Sequence, residues 1–447
     1  MTIDKDFELT KKWDKQYCLG VFSPADVAFS KGSGVWLYDM AGNKYMDLIG
    51  GIAVNSLGHG NTALTSAISS QAKKLIHVSN LYYNSQKSEL AYRLCNLSFA
   101  DKCFFCNSGA EANEAAIKIA RGYHYYKEDN RYEIITATMS FHGRTLATIA
   151  ATGQEKFRKA FGPDMPGFVY VPYNDYDAIE AAITPHTAAI MLELIQGESG
   201  VHPARKEYIQ KIRKLCTEKD ILLIIDEVQT GIGRTGRMFC YENYGITPDI
   251  MTLAKGLGGG VPIGAMLCTD KVATGMRKGD HGSTFGGGPL ACQAACTVLE
   301  QIEEKELLNN VGEVSEYLFY ELGKLKIKYP SLVNSVRGMG FLIGIEFNEI
   351  LGSVEMAQVL MNKGFLVSPI GNSTIRLAPP LILKKYEAKK FITTLADILK
   401  KNVSLHQTHA SSGSTPKASS FEKKESLDVT KRNNPDEKFD FDEELEN

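Results

Sequence analysis

The chain has 447 residues, of which 44% are hydrophobic and 23% charged, and its formal net charge is −2. This length suggests two or three globular domains, and the balanced charge provides no basic surface for nucleic acid. No apolar stretch of about 18 residues could span a membrane, and the polar first residues are unlike a secretory or transit signal. The nine cysteines stand singly in apolar contexts, which indicates reduced thiols in a cytoplasmic protein.

The predicted elements begin with a hairpin over 35–49 around the turn AGNK, and helices over 62–75 and 86–98 follow. Beyond residue 100, apolar strand-like runs alternate with amphipathic helical patterns, which is typical of a mostly parallel sheet. The predicted strands are KCFFC, EIITAT, TAAIMLEL, ILLIID and DIMTLA. The predicted helices are SGAEANEAAIKIARGYHYY, KEYIQKIRKLCTEKD and PLACQAACTVLEQIEE.

A second strand-rich unit starts at RGMGFLIGIEF and ends in a helix near 385–400. We expect it to pack with the N-terminal hairpin, so that both ends of the chain build one small domain. The predicted boundaries are 1–60 and 321–402 for this small domain and 61–320 for a large domain. The tail 403–447 is polar and ends in DEKFDFDEELEN, so it is predicted to be disordered.

Two residues that follow apolar runs are candidates for chemistry. Lys255 stands between IMTL and a glycine-rich turn, where burial lowers the pKa of an amine and frees it to attack a carbonyl carbon, as a Schiff-base lysine must. A solvated loop lysine is the alternative. Asp226 ends ILLIID, at the edge of the sheet where open α/β folds bind ligands. It could pair with a protonated pyridine, cap a helix or hold Mg²⁺, although the phosphate-binding loop of nucleotide hydrolases is absent.

Two segments of small residues suggest phosphate binding. Ser108, Gly109 and Ala110 open a predicted helix, whose free amides and dipole attract anions, although Ser108 could equally be an ordinary helix cap. The loop HGSTFGG offers Thr284 for the same purpose. Cys103 and Cys106 have the spacing of a metal or redox pair, but no second pair completes a zinc site, and we predict no bound metal.

An aromatic and two arginines suggest ring stacking and carboxylate binding. Phe141, next to His142, follows a predicted strand and could stack on a flat ring. Arg144 and Arg376 each offer a planar fork that suits a carboxylate, although each could instead form a structural salt bridge. Glu198 is available as a removable partner for a buried arginine.

Seven motifs in order resemble the class III pyridoxal-phosphate-dependent aminotransferases over roughly residues 15–400: SGAEANE, SFHGRT, LELIQGESG, LIIDEVQTGIGRTG, LAKGLGGGVPIGA, HGSTFGG and RGMGFLIGIE. The resemblance implies fold type I, an α/β fold with a large domain around a mostly parallel seven-stranded sheet and a smaller α+β domain. It implies pyridoxal 5′-phosphate as cofactor and a homodimer with shared active sites. Small-molecule substrates are expected, without nucleic acid or membrane partners.

The resemblance also implies roles for the matching positions. Lys255 would bind the cofactor and carry protons, and Asp226 would keep its pyridine nitrogen protonated. Other cofactor contacts are implied for Ser108, Gly109, Ala110, Phe141, His142, Val228, Gln229 and, toward the neighbouring subunit, Thr284, with Glu193 behind them. Substrate contacts are implied for Arg144, Glu198, Arg376, Gly51, Phe22 and Ser283. Arg144 would bind a distal carboxylate, and Arg376 would bind the α-carboxylate of glutamate when Glu198 releases it.

The run MDLIGGIAVNSLGHG is most similar to members that transfer the terminal amine of N2-acetyl-L-ornithine to 2-oxoglutarate in arginine biosynthesis. Gly51 stands where ornithine-specific members have a bulky tyrosine, and Phe22 about where they have a carboxylate-binding tyrosine, which favours an acylated donor. Ornithine, N-succinylornithine, N-succinyl-diaminopimelate and 4-aminobutyrate stay open as donors. A phospholyase, racemase or aminomutase on the same scaffold and a non-catalytic role also stay open. The chain departs from the family pattern at three places, with HGN in place of HxHP and with Met139 and Gly288 in place of asparagines. These departures bear on substrate choice.

Overall fold

The structure is a computed structural model that describes residues 6–348 and 351–411, with side chains described up to residue 402. Of the described residues, those up to Leu399 form one compact unit and those from Lys400 belong to another. Within the described residues, none of the helices has the length and apolar character needed to cross a membrane.

The strands of the described residues are, in chain order, β1 (Phe29–Ser33), β2 (Trp36–Asp39), β3 (Lys44–Asp47), β4 (Lys102–Cys106), β5 (Glu133–Ala137), β6 (Phe168–Val171), β7 (Thr187–Glu193), β8 (Ile195–Gln196), β9 (His202–Pro203), β10 (Leu222–Asp226), β11 (Ile250–Leu253), β12 (Gly264–Cys268), β13 (Val333–Met339), β14 (Leu342–Phe347), β15 (Phe365–Leu366), β16 (Ser368–Ile370) and β17 (Thr374–Leu377).

The helices are α1 (Phe7–Tyr17), α2 (Gly50–Ala53), α3 (Thr62–Lys74), α4 (Ser85–Leu97), α5 (Gly109–Tyr126), α6 (Leu146–Ala151), α7 (Glu155–Arg158), α8 (Tyr176–Ala182), α9 (Lys206–Lys219), α10 (Tyr241–Tyr244), α11 (Asp270–Ala273), α12 (Pro289–Glu304), α13 (Leu307–Lys328), α14 (Ser353–Met361) and α15 (Lys385–Ser411). Two 3-10 turns lie at Lys159–Phe161 and Lys255–Gly258.

A seven-stranded sheet forms the centre of the fold, in the order β4-β12-β11-β10-β7-β5-β6. The four pairings from β11 to β6 are parallel, whereas β12 runs antiparallel to both β11 and β4. Every residue of β7 and β10 is buried, because helices cover both faces of such a sheet. The predicted fold type I architecture is confirmed, and the parallel strands direct their carboxyl ends to one edge.

Strands from the two ends of the chain share a second sheet. Its order is β1-β2-β3-β15, and β3 pairs in parallel with β15, so that Met46 lies opposite Phe365. A third, antiparallel sheet has the order β13-β14-β17-β16. The hairpin predicted around AGNK is confirmed as β2 and β3. The domain boundaries near residues 60 and 320 stay predictions.

Several elements differ from the sequence prediction. The elements α1, β6, β12 and α13 were not predicted, although α13 repeats apolar residues every three or four positions. The last helix extends to Ser411, the last described residue, and not only to near residue 400, because no glycine or proline interrupts it between these positions. Residues 403–411 of the predicted disordered tail are therefore helical. The rest of that predicted tail lies outside the described residues.

Candidate active site

A cavity of about 480 Å³ opens at the edge of the central sheet where the parallel strands end. Open α/β sheets place their ligands at this edge, because the loops after neighbouring strands meet there. Eleven of the predicted site residues line this cavity: Ser108, Gly109, Ala110, Phe141, His142, Arg144, Glu198, Asp226, Val228, Gln229 and Lys255. Residues from five different chain segments therefore converge on one space.

Lys255 begins the short turn after β11, and its φ of 43° lies in the left-handed region that a lysine seldom adopts. Burial lowers the pKa of its amine; the charge of Glu198 opposes this effect, and that of Arg376 adds to it. The fraction of uncharged amine is therefore larger than for a solvated lysine. An uncharged amine is the form that attacks carbonyl carbon and accepts protons.

Asp226 is the last residue of β10 and is 4% exposed. Its Oδ2 accepts hydrogen bonds from His142 Nδ1 and Asn113 Nδ2, each at 2.8 Å, and its Oδ1 accepts from the Val228 amide at 3.0 Å. Burial alone would lower the pKa of His142, but the hydrogen bond and charge of Asp226 raise it. The arrangement holds a negative group at the cavity floor with a fixed orientation.

The helix α5 presents its N-terminus to the same cavity. The Ser108 hydroxyl caps it by accepting from the Glu111 amide at 3.2 Å, and the amides of Gly109 and Ala110 precede the first intrahelical bonds. A side chain at position 109 would place its first carbon 2.7 Å from a methyl group of Val228. Glycine is therefore required for this close approach between α5 and the loop after β10.

Phe141 and Arg144 follow β5 at the cavity wall. The Phe141 amide donates to Glu193 Oε2 at 2.9 Å, and burial raises the pKa of Glu193 to about 8. The guanidinium carbon of Arg144 lies 4.1 Å from the ring centre of Phe157 and 5.5 Å from that of Phe141. Within the part of the chain that the structure describes, no carboxylate forms an ion pair with Arg144, so its N–H groups are available to a ligand.

Arg376 lies on β17 and is almost fully buried, at 2% exposed. Its Nη1 donates to Glu198 Oε1 at 2.6 Å, to Gln229 Oε1 at 3.2 Å and to the Gly197 carbonyl. Gln229 Nε2 in turn donates to Glu198 Oε1 at 3.0 Å. Burial would raise the pKa of Glu198, but Arg376 and Lys255 lower it below its usual value. Glu198 is thus an ionised partner that occupies Arg376.

Five predicted residues do not line the cavity of the single chain, and one of them, Arg376, lies behind its lining residues Glu198 and Gln229. Ser283 lies beside it, because its hydroxyl accepts from Asn107 Nδ2 at 3.1 Å, while Thr284 is exposed to solvent. Phe22 is 85% exposed. Gly51 belongs to the left-handed turn of α2, where an added side chain would come within 2.9 Å of an amide nitrogen.

Among the residues near the cavity that were not predicted, three support the predicted ones. Asn113 bonds Asp226, Thr252 bonds Asn113 at 2.7 Å, and Phe157 packs against Arg144. The motif SGAEANE contained Asn113, four residues after Gly109 and hence on the same face of the helix. No comparable pattern in the sequence marks Thr252 or Phe157.

Comparisons with known proteins agree with this geometry. The family model described as "Aminotransferase class-III" matches residues 22–399. The acetylornithine aminotransferase of Caldanaerobacter subterraneus subsp. tengcongensis is 47% identical over 388 residues, which cover 87% of this chain and 98% of that protein. The ornithine aminotransferase structure from Toxoplasma gondii ME49 has a TM-score of 0.86 at 31% identity, covering 90% of this chain and 96% of that one. A second structure of the Toxoplasma gondii enzyme, with partial occupancy of PLP at the active site, has a TM-score of 0.85 at 31% identity, covering 88% and 94%.

Proposed function

The chain belongs to the class III aminotransferases, which depend on pyridoxal phosphate, and we propose that it transfers the terminal amine of N2-acetyl-L-ornithine to 2-oxoglutarate. The products are the semialdehyde and L-glutamate, and the pathway is arginine biosynthesis. The observation that carries the proposal is a pair of arginines at the site. Arg144 lines the cavity and has no carboxylate partner among the described residues, and Arg376 pairs at 2.6 Å with Glu198, which also lines the cavity. The donor is proposed from the relatives named acetylornithine aminotransferase.

The cavity fits pyridoxal phosphate in its donor set. A phosphate needs N–H donors, and the N-terminus of α5 supplies them where Gly109 leaves no side chain in the way. A protonated ring nitrogen needs a carboxylate, and Asp226 stands at the cavity floor. An aldehyde needs an amine with a lowered pKa, and Lys255 has one. We propose these three residues, with Phe141 against the ring, as the cofactor site.

When bound, pyridoxal phosphate withdraws electrons from the carbon that bears the reacting amine. Asp226 would keep a proton on the ring nitrogen, because among the described residues its Oδ1 accepts from the Val228 amide alone and retains acceptor capacity. Lys255 Nζ would take a proton from the donor carbon, and burial, which lowers the pKa of this amine, favours the uncharged form that accepts the proton. Proton transfer by a positioned side chain typically contributes about 10²- to 10⁴-fold in rate.

Two carboxylates must be bound in turn, because the donor reacts at its terminal amine and glutamate at its α-amine. Arg144 binds the distant carboxylate of the donor, and the rings of Phe157 and Phe141 hold the guanidinium at the cavity wall. Arg376 stays paired with Glu198 while the donor is bound. When 2-oxoglutarate binds, Glu198 moves away and Arg376 binds the α-carboxylate instead. Glu198 can move because its side chain is 27% exposed.

We further propose a homodimer in the cytoplasm. Thr284 and Phe285 are exposed together, and Leu81 and Tyr83 form further exposed apolar surface, which suits burial against a second copy. A second copy would also bring Thr284 to a neighbouring phosphate, as the family resemblance implies. All nine cysteines are free, which suits a reducing compartment.

Single-turnover spectra of the holoenzyme test the proposal. N-acetylornithine, ornithine, N-succinylornithine and 4-aminobutyrate are mixed with it separately at equal concentration, and 2-oxoglutarate is then added. We expect N-acetylornithine to convert the cofactor fastest, and 2-oxoglutarate to reverse the conversion. Faster conversion by ornithine would contradict the proposed donor, and return of the original spectrum without an acceptor would contradict transamination.

A further inference from the structure

We propose that Asn113 is a positioning residue of the aminotransferase reaction, whose side-chain amide fixes the carboxylate of Asp226 that would pair with the cofactor's ring nitrogen. The proposal rests on the role proposed above for Asp226, and it is independent of which amino donor the enzyme uses. Asn113 is 1% exposed and lies in the first turns of α5, with its side chain at the cavity.

All the hydrogen-bonding capacity of the Asn113 amide nitrogen is in use. Its Nδ2 donates to Asp226 Oδ2 at 2.8 Å and to the His142 carbonyl at 2.7 Å. Its Oδ1 accepts from the hydroxyl of Thr252, on β11, at 2.7 Å. An amide group has two N–H donors and one acceptor oxygen, so each of these atoms has its complement.

The partners also determine which way the amide faces. A carboxylate oxygen and a carbonyl oxygen can only accept, so reversing the amide would place its oxygen against two acceptors. The Thr252 hydroxyl, which lies at the other end, donates to Oδ1 in the observed orientation. The donors and acceptors around Asn113 therefore determine its orientation, and in this orientation one N–H points at Asp226 Oδ2.

This single amide links two parts of the site. It bonds the carboxylate of Asp226 at the end of β10 and the main chain of His142, whose ring bonds the same Oδ2 at 2.8 Å. The loop that carries His142 also carries Phe141. The Asn113 amide therefore holds both Asp226 at the cavity floor and the loop of Phe141 at the cavity wall. Loss of the amide would loosen both at once.

The test compares Asn113→Ala and Asn113→Asp with the wild-type holoenzyme. Three quantities are measured: the dissociation constant of pyridoxal phosphate from titration of the apo-protein, the pH dependence of the bound cofactor's visible absorption, and the unfolding midpoint. Asn310→Ala is the matched control, because its amide also donates to two carbonyls, those of Leu381 and Leu383, away from the cavity. Thr252→Val removes the hydroxyl that orients Asn113 but keeps both Nδ2 bonds.

We expect Asn113→Ala to weaken cofactor binding about tenfold, as loss of a hydrogen bond to a charged group does, and to shift the absorption titration by about one pH unit. Asn113→Asp places a second carboxyl beside Asp226, and the pair then keeps a proton to higher pH, so its titration shift is larger. Thr252→Val gives a smaller shift of the same kind. Asn310→Ala lowers the unfolding midpoint alone.

A lower unfolding midpoint with unchanged cofactor affinity and unchanged titration in Asn113→Ala would overturn the proposal, because that is the behaviour of a merely structural asparagine. If this variant does not fold, an unchanged titration in Asn113→Asp, which replaces the Nδ2 donor with a carboxyl, would overturn it equally. None of these measurements uses an amino donor. If N-acetylornithine fails as the donor, their results still decide the role of Asn113, so the two proposals can be judged separately.

Discussion

Replacing Glu198 with glutamine should reveal how the site separates its two substrates. Glu198 and Arg376 form a 2.6 Å ion pair, and Arg376 is 2% exposed, so this pair is poorly screened by water. A hydrogen bond between charged groups contributes about 1.5–3 kcal/mol, which corresponds to roughly 10- to 150-fold in affinity. In the proposed mechanism glutamate has to displace Glu198 to reach Arg376, whereas the proposed donor leaves the pair intact.

We therefore expect Glu198→Gln to raise kcat/KM for glutamate relative to that for N-acetylornithine by about tenfold, the lower end of that range because glutamine still accepts a hydrogen bond. The half-reactions of the holoenzyme are measured separately by stopped-flow absorbance. Glu346→Gln is the matched control, because it breaks another Arg–Glu pair, with Arg337, outside the cavity. An unchanged ratio in Glu198→Gln would refute the reasoning that this carboxylate masks Arg376.

Three further predictions concern the walls of the site. Phe157→Leu removes a ring from the guanidinium of Arg144 and should raise KM for the donor severalfold without changing KM for 2-oxoglutarate, in steady-state assays. Burial raises the pKa of Glu193 from its ordinary value near 4.5 to about 8, so the folded protein binds a proton that the unfolded chain releases. The protein should therefore lose stability as pH rises from about 4.5 to 8. Glu193→Gln should flatten that part of the curve of unfolding midpoint against pH. Gly109→Ala places a carbon 2.7 Å from a methyl group of Val228 and should weaken cofactor binding about tenfold. Adding Val228→Ala to the same chain should restore the affinity for the cofactor. If the affinity is not restored, the packing argument is contradicted.

The parts of the site that follow buried strands were predictable from the sequence. Lys255 and Asp226 each stand directly after an apolar run, and parallel strands bring such positions to one edge. The central sheet was predictable for the same reason, except for β6 and β12, two short strands that stand beside glycines and prolines in the sequence. Family motifs, and not periodicity, led to the pairing of Glu198 with Arg376.

Other parts depend on how distant segments dock. Asn113 and Thr252 are 139 positions apart and meet only because α5 packs across β11. The contact of Phe157 with Arg144 depends on where the short helix α7 lies. A motif also gives no direction for a side chain, so the sequence could not predict that Gly51 lies in a left-handed turn or that Phe22 is exposed.

The central claim is that an amine at the end of β11 and a carboxylate at the end of β10 hold one cofactor between them. The most direct measurement is reduction of the holoenzyme with borohydride, followed by digestion and mass spectrometry of the peptides. We predict a phosphopyridoxyl group on Lys255 of the wild-type protein. The same experiment on Asp226→Ala, at a cofactor concentration that saturates the wild type, should label Lys255 much less. A label on another lysine, or equal labelling of Lys255 in the two proteins, would contradict the account.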